Sequence, residues 1–267
     1  MRRRARRYPE GEHEAEILDL AEDGRGIARI DGKVVFIADA LPSERVVFRY
    51  VAAGKSFDEG QTLRVASASP DRVTPGCPHF GVCGGCALQH LAPEAQVRFK
   101  QKQLVDALAR IGKVAPEQLA EPITGPVWGY RRRARMGAKW VFNKHTVLVG
   151  FRERRTHFLA ELSRCPVLDP RVGEALEVLA EALANTSIAD KIPQIEMAAA
   201  EHVCLSIRVL QAPTEADLQV FRQLARDTGF ELRLQPGGLS TITPLDPPAR
   251  VLDYSPDGSA RRLQFEI

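Results

Sequence analysis

The residues best suited to chemistry in this chain are its five cysteines. Cys77, Cys83 and Cys86 lie in CPHFGVCGGC, a Cys-x5-Cys-x2-Cys run; Cys165 follows in RCPVLDP, 79 positions after Cys86, and Cys204 sits in the apolar HVCLSIRV. Three thiols within ten residues are more than packing asks for. No secretory signal accompanies them, because the basic start MRRRARR runs into Glu10, Glu12, Glu14 and Glu16 instead of an apolar core. A cytoplasmic location is the expectation, and there disulfides are disfavoured and thiolate ligation of a metal or cluster is the physical alternative. Zinc usually draws its cysteines from two short pairs. Three thiols from one loop and a fourth from far away suit an iron-sulfur cubane better, with zinc still open and disulfides or unligated thiols third. Gly84 and Gly85 let the backbone turn tightly there and aim its amides at sulfur. Cys204, between Val203 and Leu205, reads as a small packed side chain.

The second chemical feature is charge. The net charge of +3 hides an asymmetry: residues 1–7 hold five arginines and no acid, and residues 129–157 hold nine Lys or Arg against the single acid Glu153. The two segments carry +5 and +8, so the rest of the chain carries −10. Clustered guanidinium groups on a mildly acidic body suit a polyanion, since they release counterions from phosphates; a solvated basic face is the competing reading. Arg131, Arg132, Arg133 and Arg135, with Arg152, Arg154 and Arg155, are the candidate polyanion contacts, and the candidate RNA contacts if the polyanion is a nucleic acid.

The elements that must position these groups fall into two parts. A chain of 267 residues, 44% hydrophobic and 27% charged, allows one or two globular domains. It contains no run of about 18 apolar residues that could span a bilayer. Strands are expected at 14–20, 26–30, 33–37, 44–51 and 61–68, with Asp31-Gly32 marking a hairpin. Five strands so closely spaced predict an all-β, OB-like barrel, a type whose face and loops hold single-stranded nucleic acid. Residues 69–76 form a linker. A helix is expected over 93–111, opened by Pro93, closed by Gly112 and striped by Val97, Leu104, Leu108 and Ile111. Beyond it come strands at 134–142, 146–152, 194–199, 202–210, 230–235 and 239–243, with helices near 171–184 and 214–228, an α+β pattern. Asn143-Lys144-His145 serves as the loop of a hairpin that carries the arginines. Strand alternation sends Arg131, Arg133 and Arg135 to one face and Arg132 to the other, so at least one arginine is expected to meet an acid or lie near the cluster.

CPHFGVCGGCALQH (77–90), the following helix, GYRRRARMG (129–137), VGFRERRTH (149–157) and RCPVLDP (164–170) together resemble the RNA uracil-5-methyltransferase family. The likeness is strongest to its 23S ribosomal RNA enzymes. The resemblance implies that Cys77, Cys83, Cys86 and Cys165 bind a 4Fe-4S cluster and that residues 9–68 are a TRAM domain, the RNA-binding barrel of that family. The arginines near the start make residues 1–8 a basic arm, and an iron-sulfur domain is expected over 75–267, whose helix 93–111 would pack on a catalytic domain. The combination of barrel and cluster implies a ribosomal RNA substrate, because the tRNA enzymes of the same chemistry typically lack both. One departure is Pro42-Ser43-Glu44, where the barrel often shows Pro-Gly-Glu.

The chemistry of that family needs S-adenosylmethionine in a Rossmann-like domain, a cysteine that adds to uracil carbon 6, and a base that removes the carbon 5 proton. No glycine-rich strand-to-helix turn for a nucleotide cofactor occurs in the sequence. Cys204 lacks the context of the nucleophile, so no catalytic residue is assigned. The expectation is an N-terminal, monomeric portion of a SAM-dependent 23S rRNA (uracil-5-)-methyltransferase that binds RNA but neither binds S-adenosylmethionine nor transfers methyl. The alternative is a stand-alone iron-sulfur or zinc RNA-binding module without catalytic activity.

Overall fold

The computed structural model describes residues 8–246, 251–255 and 263–265; the arginines of the expected basic arm lie outside them. The chain divides into two compact units, residues 1–81 with 86–124, and residues 82–85 with 125–267.

The first unit is built on a closed barrel. The expected strand 14–20 is two strands, β1 (His13–Glu16) and β2 (Asp19–Leu20), followed by β3 (Gly26–Ile30), β4 (Lys33–Ala38), β5 (Arg45–Ala53) and β6 (Phe57–Ser67). The order is β1-β5-β6-β4-β3-β2, and β4 pairs β6 in parallel while its other neighbour is antiparallel. The Ile17 amide donates to Glu44 O and the Leu18 amide to Ile27 O. One chain segment therefore passes from the β5 edge to the β3 edge within two residues, and the sheet has no free edge there. Asp31 and Gly32, at φ +49 and +78, make the left-handed two-residue turn that the Asp-Gly pair predicts. Ile17, Val35, Ile37, Val46 and Phe48 fill the interior.

The linker out of the barrel is held by a buried ion pair. The fully buried Glu44 carboxylate accepts from the Leu41 amide (2.8 Å), the Ser69 amide (3.1 Å), and Arg72 Nε (2.5 Å) and Nη2 (2.8 Å). Burial pushes its pKa up, but these donors outweigh burial and hold it below the ordinary carboxylate value. Ser43, just before it, sits at φ +67, a left-handed backbone that explains why glycine suits this position.

Helix α1 (Pro93–Ala107) runs into a π turn, Leu108–Gly112, and ends at a left-handed Lys113. Its buried side is not the expected stripe. Ala95 packs with Leu20, Leu41 and Leu91, supported by Leu88, Ala92 and Phe99, whereas Leu104 and Ile111 are 56% and 82% exposed. The helix thus belongs to the barrel unit, anchored by its first turns. Residues 113–128 are exposed and carry neither helix nor strand.

The second unit contains a six-stranded sheet in the order β12-β11-β10-β9-β7-β8. Its elements are β7 (Arg133–Val141), β8 (Thr146–Gly150), α2 (Pro170–Gly173), α3 (Leu176–Ala184), β9 (Gln194–Ala199), β10 (Val203–Arg208), α4 (Glu215–Thr228), β11 (Glu231–Gln235) and β12 (Thr243–Pro244). A further pair, β13 (Leu252–Tyr254) and β14 (Leu263–Phe265), stands outside that sheet. Alternation puts Met136, Ile195, Met197, Leu205, Ile207 and Leu232 into one core with Leu176, Leu179 and Leu183 of α3 and Phe221 and Leu224 of α4. Each fully buried side chain of this size contributes about 1.5–3 kcal/mol. Thr214 and Asp217 form a capping box on α4, and Asp217 also accepts from the Ser187 amide and hydroxyl. Burial opposes ionisation of Asp217, yet those hydrogen bonds lower its pKa to about 2. The expected strand 239–243 is mostly a 3-10 turn, Leu239–Thr241, because Gly237 and Thr241 bond to each other across it.

Candidate functional site

Cys77 and Cys86 belong to the first unit, Cys83 and Cys165 to the second. All four are half-buried, whereas Cys204 on β10 is 1% exposed and packed in the sheet. In the first unit the Cys77 amide donates to Gln89 Oε1 at 3.2 Å, and the Phe80 amide closes a turn on Cys77 O. The Phe80 ring lies 5.3 Å from that of the buried His90.

In the second unit the Cys83 segment is held by an isolated β-bridge. The Gly84 amide donates to Arg152 O, the Arg154 amide donates to Val82 O, and Cys83 faces Glu153 as an antiparallel bridge. Arg152 pairs in turn with Leu159. A Cβ on Gly84 would stand 3.0 Å from Arg152 O, so the close approach asks for glycine. The Gly85 amide points at Cys83 Sγ, 3.4 Å away, the amide-to-sulfur contact expected of this loop. Soft thiol donors with an N–H directed at sulfur suit an iron-sulfur group, whose potential such hydrogen bonds tune. Among the described residues, no group of three or more His, Cys, Asp or Glu is arranged to hold a metal ion.

Cys165 is fixed from a different side. Its amide donates to Gly173 O, and a Cβ on Gly173 would lie 2.3 Å from Cys165 O. Between them Asp169 caps α2 and accepts from the Arg171 amide. The backbone of 129–131 is laid along 166–169 by three bonds: Gly129 N to Pro166 O, Arg131 N to Val167 O, and Asp169 N to Arg131 O.

The arginines therefore do not form one open ribbon. Arg133 and Arg135 share the exposed face of β7, opposite Ala134 and the buried Met136, and Arg135 pairs with Glu196 at 2.9 Å. Arg132 pairs with the buried Asp169, which Arg171 also grips at 2.9 Å. The Arg171 hydrogen bond, working against burial, holds the Asp169 carboxyl below its ordinary pKa. Arg152, Arg154 and Arg155 are not on the neighbouring strand, because β8 ends at Gly150. Gly150 has φ +148 and its missing Cβ leaves room for Leu162, so the chain turns off the sheet before the arginines begin. Arg152 and Arg155 are exposed, and Arg155 sits at φ +63. The hairpin loop itself is Phe142–Lys144 in a 3-10 turn with His145 left-handed, one residue longer than Asn143-Lys144-His145. Sequence reasoning missed Asp169, Glu196 and Gly173, although the first lies inside the quoted RCPVLDP and the last three residues beyond it.

No family model matches the chain. Its fold is shared with an RNA uracil-C5 methyltransferase: a crystal structure of the Pyrococcus abyssi tRNA (uracil-54, C5)-methyltransferase in complex with S-adenosyl-L-homocysteine superposes at TM-score 0.60 and 18% identity, covering 92% of this chain and 57% of that one. A tRNA enzyme thus has a structural counterpart for nearly all of this chain, so the fold alone does not separate rRNA from tRNA enzymes. At the level of sequence, the chain is 46% identical over 99% of its length to the 23S rRNA (uracil(1939)-C(5))-methyltransferase RlmD of Alkalilimnicola ehrlichii, and 47% identical over 91% of its length to RlmD of Alcanivorax borkumensis. It spans 60% and 55% of those relatives. The chain is therefore similar along nearly its whole length to more than half of each of these RlmD enzymes. No helix among the described residues is long and apolar enough to cross a membrane.

Proposed function

We propose that this chain supplies RNA recognition and an iron-sulfur centre to an RlmD-type, SAM-dependent 23S rRNA uracil-C5 methyltransferase. The observation that carries the reading is 46% identity along nearly the whole chain to an enzyme of that name. In this reading residues 9–68 are the RNA-binding TRAM barrel, and Cys77, Cys83, Cys86 and Cys165 ligate one 4Fe-4S cluster. That ligand set rests on spacing and resemblance, with the Gly85 amide at Cys83 sulfur as local support. A fourth ligand so far along the chain closes a long loop, so the cluster organises the domain instead of reacting. Arg131, Arg133 and Arg152 grip RNA phosphates, joined by Arg132, Arg135, Arg154 and Arg155 as their own contacts allow. No residue of this chain is assigned a catalytic role.

The test is anaerobic purification followed by iron analysis and RNA binding. The protein should be brown, absorb broadly and carry about four irons per chain. It should bind a 23S rRNA fragment containing the uridine equivalent to 1939 more tightly than a tRNA of similar length. Colourless protein holding one zinc would overturn the cluster, and a preference for the tRNA would favour the tRNA enzymes that share the fold.

A further inference from the structure

From the junction around Asp169 we infer that this carboxylate is a positioning residue for RNA binding, presetting Arg132 against a polyanion; the inference rests on the RNA-binding reading above. Asp169 is 1% exposed and lies four residues after Cys165. Its Oδ1 accepts from Arg171 N (3.1 Å) and Nε (2.9 Å), and its Oδ2 accepts from Arg171 Nη2 (2.9 Å) and from Arg132 Nη1. Arg171 continues to Glu201 O (3.0 Å) and Ala200 O (2.8 Å) in the turn between β9 and β10. One buried carboxylate therefore ties together the Cys165 segment, the arginine-bearing strand and the next hairpin of the sheet.

The geometry at Arg132 is that of a half-held guanidinium. Its side chain is 52% exposed while its partner is 2% exposed. One nitrogen of the planar group is thus held by a buried anion while the side chain stays half exposed, which leaves the other N–H donors of the guanidinium to offer a phosphate. Arg135 is different: its partner Glu196 is 23% exposed and Arg135 itself 70%, so that pair screens charge without fixing a side chain.

The two roles predict opposite signs. If Asp169 only neutralised nearby charge, Asp169→Asn would remove one negative charge and strengthen polyanion binding. As a positioning residue its loss weakens binding, by about two- to tenfold, the range for immobilising one long side chain on association. Glu196→Gln is the control and should leave affinity equal or higher.

The measurement is the affinity of the full chain for a labelled, uridine-containing RNA hairpin, with Asp169→Asn, Arg132→Ala and their double variant. Asp169→Asn should weaken binding in the wild-type background and have no further effect beside Arg132→Ala. Stronger or unchanged binding in Asp169→Asn, or equal weakening in both backgrounds, overturns the inference, because a general structural defect would act in both. Should Asp169→Asn not fold, Arg132→Lys replaces it: a charge without the planar fork should bind as weakly as Arg132→Ala, and wild-type affinity refutes the inference. Absence of RNA binding by the wild-type chain would defeat the underlying RNA-binding reading instead.

Discussion

Replacing Glu44 by glutamine tests whether the barrel's exit is locked by charge. The substitution keeps shape and volume but turns one oxygen into a donor. Oε1 accepts from Ser69 N and Arg72 Nε, and Oε2 from Leu41 N and Arg72 Nη2. Whichever oxygen becomes the amide nitrogen, one backbone N–H and one guanidinium N–H then face a donor. Breaking a buried pair costs about 3–5 kcal/mol, much of it from the group left behind. Arg72 is 23% exposed and recovers some water, which places the expected loss near the lower end, about 3 kcal/mol. The pH dependence has a defined sign. Arg72 and the two amides hold the folded pKa of Glu44 below its reference value of 4.5 against burial, so its contribution is complete above that value and is lost as pH falls through the folded pKa. Hydrogen exchange of the β3–β6 amides in the full chain reads the local stability. Glu44→Gln should exchange faster by about two orders of magnitude at neutral pH, and the gap from wild type should close in acid. A gap under about 1 kcal/mol at neutral pH, or one that persists unchanged in acid, would refute the argument.

Four further outcomes follow from local geometry. Ser43→Gly relieves a residue at φ +67 and should stabilise the barrel by up to about 1 kcal/mol in urea titrations, the left-handed penalty less the entropy of glycine; Ser43→Val should destabilise it. Gly173→Ala drives a methyl to within 2.3 Å of Cys165 O; iron content after anaerobic purification should fall, with a stability loss of about 1–3 kcal/mol. Cys165→Ser should also lose iron, while Cys204→Ala, buried on β10, should keep it. Replacing Arg131 and Arg133 together should lower the slope of log affinity against log salt by about two, whereas an unchanged slope would return the patch to a solvated face.

What the sequence made legible depended on whether the signal was local. Asp31-Gly32 dictates its turn through backbone conformations only those residues adopt cheaply, and the structure places that turn as expected. The break at Ile17-Leu18 is invisible because both halves of the strand continue one hydrophobic pattern while pairing with different neighbours. In α1 the leucines looked like the inner stripe, but a close approach to Leu20 and Leu41 favours the small Ala95, and periodicity does not say which face finds a partner. The alternation that put Arg152 on a strand carries no sign that Gly150 turns the chain away. Arg132 and Asp169 lie 37 positions apart; their pairing exists only after the sheet has formed. The cysteine spacing was legible at once, yet Gly173, which sets where Cys165 can sit, needed coordinates.

The pairing of residues 82–84 with 152–154 also imposes a schedule on synthesis. The barrel is encoded first and can close as soon as Ser67 is clear of the ribosome, since all its strands precede that residue. The segment bearing Cys83 must then wait for roughly 70 more residues before its partner around Arg152 exists, about 3–14 s at 5–20 residues per second. Throughout that interval the Cys83 thiol waits without the backbone that will hold it and half-bury it. An oxidising pulse should therefore modify Cys83 more readily in nascent chains than in finished ones, where the thiol is half-buried.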